Sequence, residues 1–168
     1  QMKNRTITLR SLGKVFSVTG WKIGWAVAPK HLTNPIRNAH QFLTFCAATP
    51  LQVAAAEALR APESYFSEYT TAYRERRDLL VEGLRSVGFN VHTPEGTYFV
   101  LADHTPFDFE DDISFCLHLV KTCRVAGIPP SSFYANSTEG RGLVRFAFCK
   151  GLDTLNNAVE RLQGLAKT

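Results

Sequence analysis

The run Ser11-Leu12-Gly13-Lys14-Val15-Phe16-Ser17-Val18-Thr19-Gly20-Trp21-Lys22-Ile23-Gly24-Trp25 constrains this chain more than any other stretch of it. A short β-branched and apolar segment, Thr6-Ile7-Thr8-Leu9, delivers a serine and then a lysine to a turn, and a second lysine follows eight residues after the first. Such a grouping can build a phosphate pocket beside a reactive amine. One lysine can form an imine with a carbonyl cofactor while the hydroxyl and the other lysine hold the cofactor's phosphate. Taken singly, Lys14 reads as a surface lysine at a strand end and Ser11 as a turn residue. Only the whole run, with its spacing, favours chemistry over those plainer roles.

Every fixed position of the pattern Ser-x-x-Lys-x-Phe-x-x-x-Gly-x-Lys/Arg-x-Gly is occupied, from Ser11 to Gly24. The segment resembles the lysine signature of class I aminotransferases of fold type I. Within that family it is most similar to the branch of kynurenine aminotransferases, glutamine transaminase K and methionine aminotransferases, where Thr-Gly-Trp-Lys also recurs. Further matches are Gly96-Thr97-Tyr98-Phe99, Ile128-Pro129-Pro130-Ser131-Ser132-Phe133-Tyr134 and Val144-Arg145-Phe146, so the resemblance runs from near residue 6 to the C-terminus. It implies an α/β fold, the C-terminal part of a fold type I transferase dependent on pyridoxal 5'-phosphate. Members of the family are normally more than twice as long, which makes the chain read as a piece of a longer protein.

The resemblance also implies roles for individual residues. Lys14 would form the resting aldimine with pyridoxal phosphate and then, released, act as the base that moves a proton from the substrate's Cα to C4' of the cofactor. Ser11 and Lys22 would hold the phosphate by charge-assisted hydrogen bonds. Where Lys22 stands, relatives often carry arginine, and lysine offers a point charge in place of a bidentate fork. Gly20 and Gly24 would serve close backbone approach.

Arg145 lies in Leu143-Val144-Arg145-Phe146-Ala147-Phe148, an apolar strand that should not hold a charge without a partner. Alternation sets it on the face opposite Val144 and Phe146. Without the family match an edge-strand ion pair would be the plainer explanation; with it, Arg145 binds the substrate's α-carboxylate. Tyr98, with Phe133 and Tyr134, is expected near the mouth of the site, shaping a pocket for an apolar or aromatic side chain, although aromatics in strands are more often core. Trp21 and Trp25 are expected to pack on one strand face.

Several function classes are set aside by composition. No apolar run reaches the ~18 residues of a membrane span. The net charge of +4 is scattered apart from Arg74-Glu75-Arg76-Arg77, which reads as a solvated helix face without the aromatic platform of a nucleic-acid site. No metal site is expected, since Cys46, Cys116, Cys123 and Cys149 show neither ligand pairs nor a disulfide framework, and the histidines are spread out. The cysteines read as reduced, buried thiols of a soluble protein in a reducing compartment, with cytoplasm, mitochondrion and plastid left open.

Along the chain, residues 6–10 and 21–28 read as strands, the second apolar enough to be buried on both faces. Leu32, Ile36, Ala39 and Leu43 recur at helical spacing, as do Leu51, Ala54, Ala55, Ala58 and Leu59. A long helix is expected over 64–87, stopped by Gly88. Beyond it, strands are expected at 89–91, 97–102, 125–128 and 143–148, with helices through 113–123 and 152–165. The domains would be the end of a large cofactor domain at 1–60, a connecting helix at 61–87 and a small C-terminal domain at 88–168.

For the full-length parent, the expectation is ping-pong transamination between an L-amino acid (kynurenine, glutamine, methionine or aromatic) and a 2-oxo acid, in amino-acid metabolism. A homodimer is expected for that parent. The isolated chain would be inactive, because the residues that contact the cofactor ring in the family lie upstream of the lysine. A cysteine-conjugate β-lyase of the same fold and a non-catalytic truncated product are the alternatives.

Overall fold

The computed structural model describes residues 2–136 and 138–167. The chain divides into two compact units, Gln1–Tyr69 and Thr70–Thr168.

In the first unit, β1 (Thr8–Ser11) and β2 (Gly24–Val27) pair antiparallel, with Thr8 opposite Val27 and Ser11 opposite Gly24. β2 is shorter than its apolar run suggests. Thr19–Trp21 forms a 3-10 turn, and Lys22 closes it in a left-handed conformation with φ of 54°. That reversal breaks the strand, so Trp21 lies on the turn and does not share a strand face with Trp25. The pair is also not buried on both faces: Leu9 is 76% exposed and Val27 is exposed as well, while Trp25 packs against a small core. Two helices follow, α1 (Lys30–Leu43) and α2 (Thr49–Ala58), the latter with Pro50 in its first turn, where no N–H is missed. A small core forms from Leu12, Ile23 and Ala55, with Phe16, Val18, Trp25 and Leu51 against it.

Helix α3 (Glu63–Val87) begins in the first unit and ends in the second. Its end is read directly from sequence. Gly88 takes φ of 115°, its N–H bonds to the Arg85 carbonyl, and Phe89 N–H reaches the Leu84 carbonyl at 3.1 Å, a Schellman closure that only glycine adopts cheaply.

The second unit is a three-stranded antiparallel sheet in the order β3 (Asn90–Val91), β4 (Phe99–Asp103), β5 (Leu143–Ala147). Its helices are the C-terminal half of α3, α4 (Asp112–His118) and α5 (Leu152–Leu162). Helix α4 starts from a capping box in which Asp111 and Ser114 exchange hydrogen bonds, and a π turn at Leu119–Cys123 follows it. Val100, Ala102, Val144 and Phe146 point inward between them onto Leu80, Leu84, Phe115, Leu119, Leu155 and Leu162. Alternation leaves Phe99, Leu101 and Arg145 on the other face of the sheet.

The strand expected at 125–128 is reduced to one bridge, Ile128 with Arg145. Pro129 follows Ile128 and has no N–H to carry the ladder further. Cysteines differ too: Cys116 and Cys123 are buried, Cys149 is half-buried, and Cys46 is exposed beyond α1. Among the described residues no helix is long and apolar enough to cross a membrane, and no cluster of metal-ligating side chains occurs.

Candidate active-site elements

The loop between β1 and β2 carries Lys14, and its backbone is tied at consecutive points. Leu12, 1% exposed, anchors it in the core and donates its N–H to the Ile23 carbonyl at 3.2 Å. Thr19 Oγ1 donates to the Gly13 carbonyl at 3.0 Å, and Ser17 N–H to the Lys14 carbonyl at 3.2 Å. From α3, the Tyr65 hydroxyl donates to the Val15 carbonyl at 2.6 Å, and its ring stacks on Phe16 with centroids 5.2 Å apart. Three successive carbonyls are thus held, which fixes the direction in which the half-buried Lys14 leaves the backbone.

Ser11 and Lys22 flank the closing rung of this loop, since the partner of Ser11 in the ladder is Gly24. Both are exposed. Gly24 is required for the closure: a Cβ there would lie 2.6 Å from the Arg10 carbonyl oxygen. Gly20 differs from expectation, because a Cβ on it would meet nothing within 4 Å. A recess of about 500 Å³ is lined by Ser11 with Arg10, Val15, Phe16 and Trp25, and neither Lys14 nor Lys22 is part of its wall. The donor set of the loop is a primary amine, a hydroxyl and a second cation, which suits a phosphorylated carbonyl compound such as pyridoxal phosphate.

In the second unit Arg145 is half-buried on β5. Its guanidinium carbon is 4.7 Å from the centroid of Phe99 and 5.1 Å from that of Phe133. Its Nε is buried without a hydrogen-bond partner, and no carboxylate pairs with it among the described residues. A flat cation engaged by aromatic rings and short of an acceptor offers its donor edge to an incoming carboxylate.

Tyr98 is half-buried just before β4. Its ring meets Phe99 edge-on at 5.3 Å, and its carbonyl accepts from Phe148 N–H. Tyr134 is exposed at the end of the Pro130–Phe133 turn. Two contributors had weak signals in sequence or none. Phe99 reaches Arg145 diagonally across the β4–β5 ladder, which depends on register, and Tyr65 acts on a loop 50 residues away.

Burial and the neighbouring Asp112 carboxylate push the Cys116 thiol up to about 11, and burial alone raises Cys123. At the α4 cap, the Ser114 N–H and hydroxyl hold the Asp111 carboxyl below its ordinary value.

An α/β chain with a lysine held on a tied loop of one unit and an arginine on an apolar strand of the other is consistent with a pyridoxal-phosphate transferase, and comparison gives the family. The model of aminotransferase class I and II matches residues 1–162, and the chain belongs to that pyridoxal-phosphate-dependent family. It is 41% identical to the probable N-succinyldiaminopimelate aminotransferase DapC of Mycobacterium tuberculosis, over 99% of this chain and 44% of the relative. It is 36% identical to a kynurenine–oxoglutarate transaminase of Dictyostelium discoideum, over 99% of this chain and 43% of the relative. The crystal structure of YbdL from Escherichia coli, identified as a methionine aminotransferase, superposes with a TM-score of 0.88 at 39% identity, over 98% of this chain and 43% of that one. The kynurenine and methionine branch expected from the motifs is therefore present among the relatives, and a succinyldiaminopimelate enzyme stands beside it. The chain spans less than half the length of these proteins.

Proposed function

We propose that this chain supplies the catalytic lysine, the phosphate contacts and the carboxylate receptor of an aminotransferase of full family length. The reaction exchanges the amino group of an L-amino acid for the oxo group of a 2-oxo acid in two half-reactions. Donors are apolar or aromatic amino acids of the kynurenine, glutamine and methionine kind, and the likeness to DapC adds N-acylated diamino acids to the range. Acceptors are 2-oxo acids such as 2-oxoglutarate or pyruvate.

One observation carries this reading: Arg145 holds a charge on an apolar strand, with a buried Nε that no residue described here satisfies. An uncompensated buried donor costs free energy, and a bound carboxylate would remove that cost. Bound pyridoxal phosphate supplies the electron sink for the donor's Cα. Ser11 and Lys22 hold its phosphate. Lys14 would anchor the cofactor, and its Nζ would take the proton from the donor's Cα. Arg145 binds the α-carboxylate and so orients the Cα–H bond, and Tyr98 borders the side-chain pocket. A homodimer of the full-length protein and an inactive isolated chain belong to the same proposal.

The test is a visible absorption spectrum of the full-length protein with added pyridoxal phosphate. A band that Lys14→Ala abolishes, and that changes on adding methionine or kynurenine with release of the oxo acid, is the expected result. A band unaffected by Lys14→Ala overturns the assignment.

A further inference from the structure

Asp112 is completely buried in the first turn of α4. Its Oδ2 accepts a hydrogen bond from Ser131 N–H at 2.7 Å, and its Oδ1 has no partner among the described residues. Ser131 belongs to the 3-10 turn Pro130–Phe133, and the two residues before it, Pro129 and Pro130, have no N–H. Ser131 therefore offers the first amide of the turn, and Asp112 captures it. The carboxylate sits on a helix that the capping box at Asp111 and the fully buried Phe115 anchor.

Two residues beyond Ser131 stands Phe133, 63% exposed and yet 5.1 Å from the Arg145 guanidinium. An exposed phenylalanine gains little from burial at that place. What sets its position is the turn that bears it. A helix anchored in the core by Phe115, a carboxylate, a backbone amide, a ring and a guanidinium are thus linked in one continuous line.

We propose that Asp112 is a positioning residue for the carboxylate receptor: by holding Ser131 N–H it sets Phe133 against Arg145, and the ligand so favoured is a carboxylate on an apolar body. This rests on the role given to Arg145 above. Asp112 touches no substrate. Its effect is to restrict the orientations of Arg145 before the carboxylate arrives, which lowers the cost of ordering on binding.

The experiment measures the Kd of 3-phenylpropanoate by titration calorimetry on the cofactor-loaded, full-length protein, with Tm recorded for every variant. Asp112→Ala and Phe133→Leu are each expected to raise Kd about tenfold, and the double variant no more than either alone, because both remove the same restraint. Asp112→Asn keeps an oxygen for Ser131 N–H and is expected to bind within about threefold of the native protein, whatever its Tm. A merely structural Asp112 would lower Tm in Asp112→Ala and leave Kd unchanged, which overturns the proposal. Should Asp112→Ala not fold, Phe133→Leu decides alone: a tenfold rise supports the proposal and an unchanged Kd overturns it. Arg145→Leu separates the two levels. A weakened Kd there with native values in the other variants overturns only the positioning role, whereas an unchanged Kd overturns the receptor and the inference together.

Discussion

Gly24→Ala is a single added methyl group at the rung that closes the lysine loop, and the structure gives its consequence. The new Cβ would stand 2.6 Å from the Arg10 carbonyl oxygen. Close carbon–oxygen contacts between strands are about 3.3 Å, so one strand must retreat by roughly 0.7 Å. The obstacle is backbone within the β1–β2 ladder, and no rotamer change can remove it. Overpacking of this kind costs about 1–3 kcal/mol, against a gain of about 0.4–1 kcal/mol from the reduced freedom of the unfolded chain. The net is a destabilisation of about 1–2 kcal/mol. Ser11 is the residue opposite Gly24, so the same displacement moves the proposed phosphate contact, and errors near 1 Å can cost about 100-fold in rate. The assay is paired: cofactor Kd and transaminase rate for Gly24→Ala and for Gly20→Ala in the full-length protein. Gly20 belongs to the same signature, but its Cβ would meet nothing within 4 Å, and its variant should bind and turn over like the native protein. Equal tolerance of the two substitutions would refute the steric reasoning.

In Gly83→Ala the added Cβ would lie 2.4 Å from Val159 Cγ2 on α5, and a valine on a helix has little rotamer freedom, so the variant should lose about 1–2 kcal/mol despite alanine's better helix propensity. Thermal melts would show it, with partial recovery in Gly83→Ala/Val159→Ala. Asp111 has a lowered folded pKa, so its charge stabilises the α4 cap above the unfolded value of about 3.9 and that contribution disappears as pH falls through the folded pKa. Melts from pH 7 to 2.5 should therefore show native protein and Asp111→Asn converging at low pH; parallel curves would count against the cap. Alkylation with iodoacetamide at pH 8, read by mass spectrometry, should label exposed Cys46 first and spare buried Cys116, whose thiol, at about 11, is ionised in about one molecule per thousand.

What could be read from the sequence was local. The lysine run, the 3.6-residue rhythm of α3 and the glycine that ends it are properties of neighbouring residues, and they reappear in place. Alternation in Leu143–Ala147 likewise put Arg145 opposite Val144 and Phe146. Features that depend on conformation or on pairing were hidden. An apolar run gave no sign that Lys22 would turn left-handed and detach Trp21 from the strand. Phe99 became an Arg145 neighbour only once β4 and β5 were in register, and Tyr65 needed a fold to bring it to Val15. That Asp112 serves the Pro130–Phe133 turn depends on packing that brings together residues 19 apart in the chain, which no local pattern records.

The two sides of the proposed chemistry differ in how completely this chain builds them. Arg145 stands on a sheet whose inner face packs on helices, and the residues proposed to orient it, Phe99 and Phe133 by contact and Asp112 through the turn, belong to the same unit. The lysine loop stands on two strands, and an isolated pair is marginal in water. Leu9 on β1 is exposed, as are Phe42, Leu43 and Phe45 at the end of α1, where Phe42 reaches 87%. Covering a side chain of that size is worth about 1.5–3 kcal/mol, so the free energy still open to the first unit is of the order of its own stability. Geometry at Ser11, Lys14 and Lys22 therefore has less support within its own unit than geometry at Arg145 has within its own. A destabilising change in the first unit, such as Gly24→Ala, should therefore weaken cofactor binding while leaving the orientation of the carboxylate receptor intact.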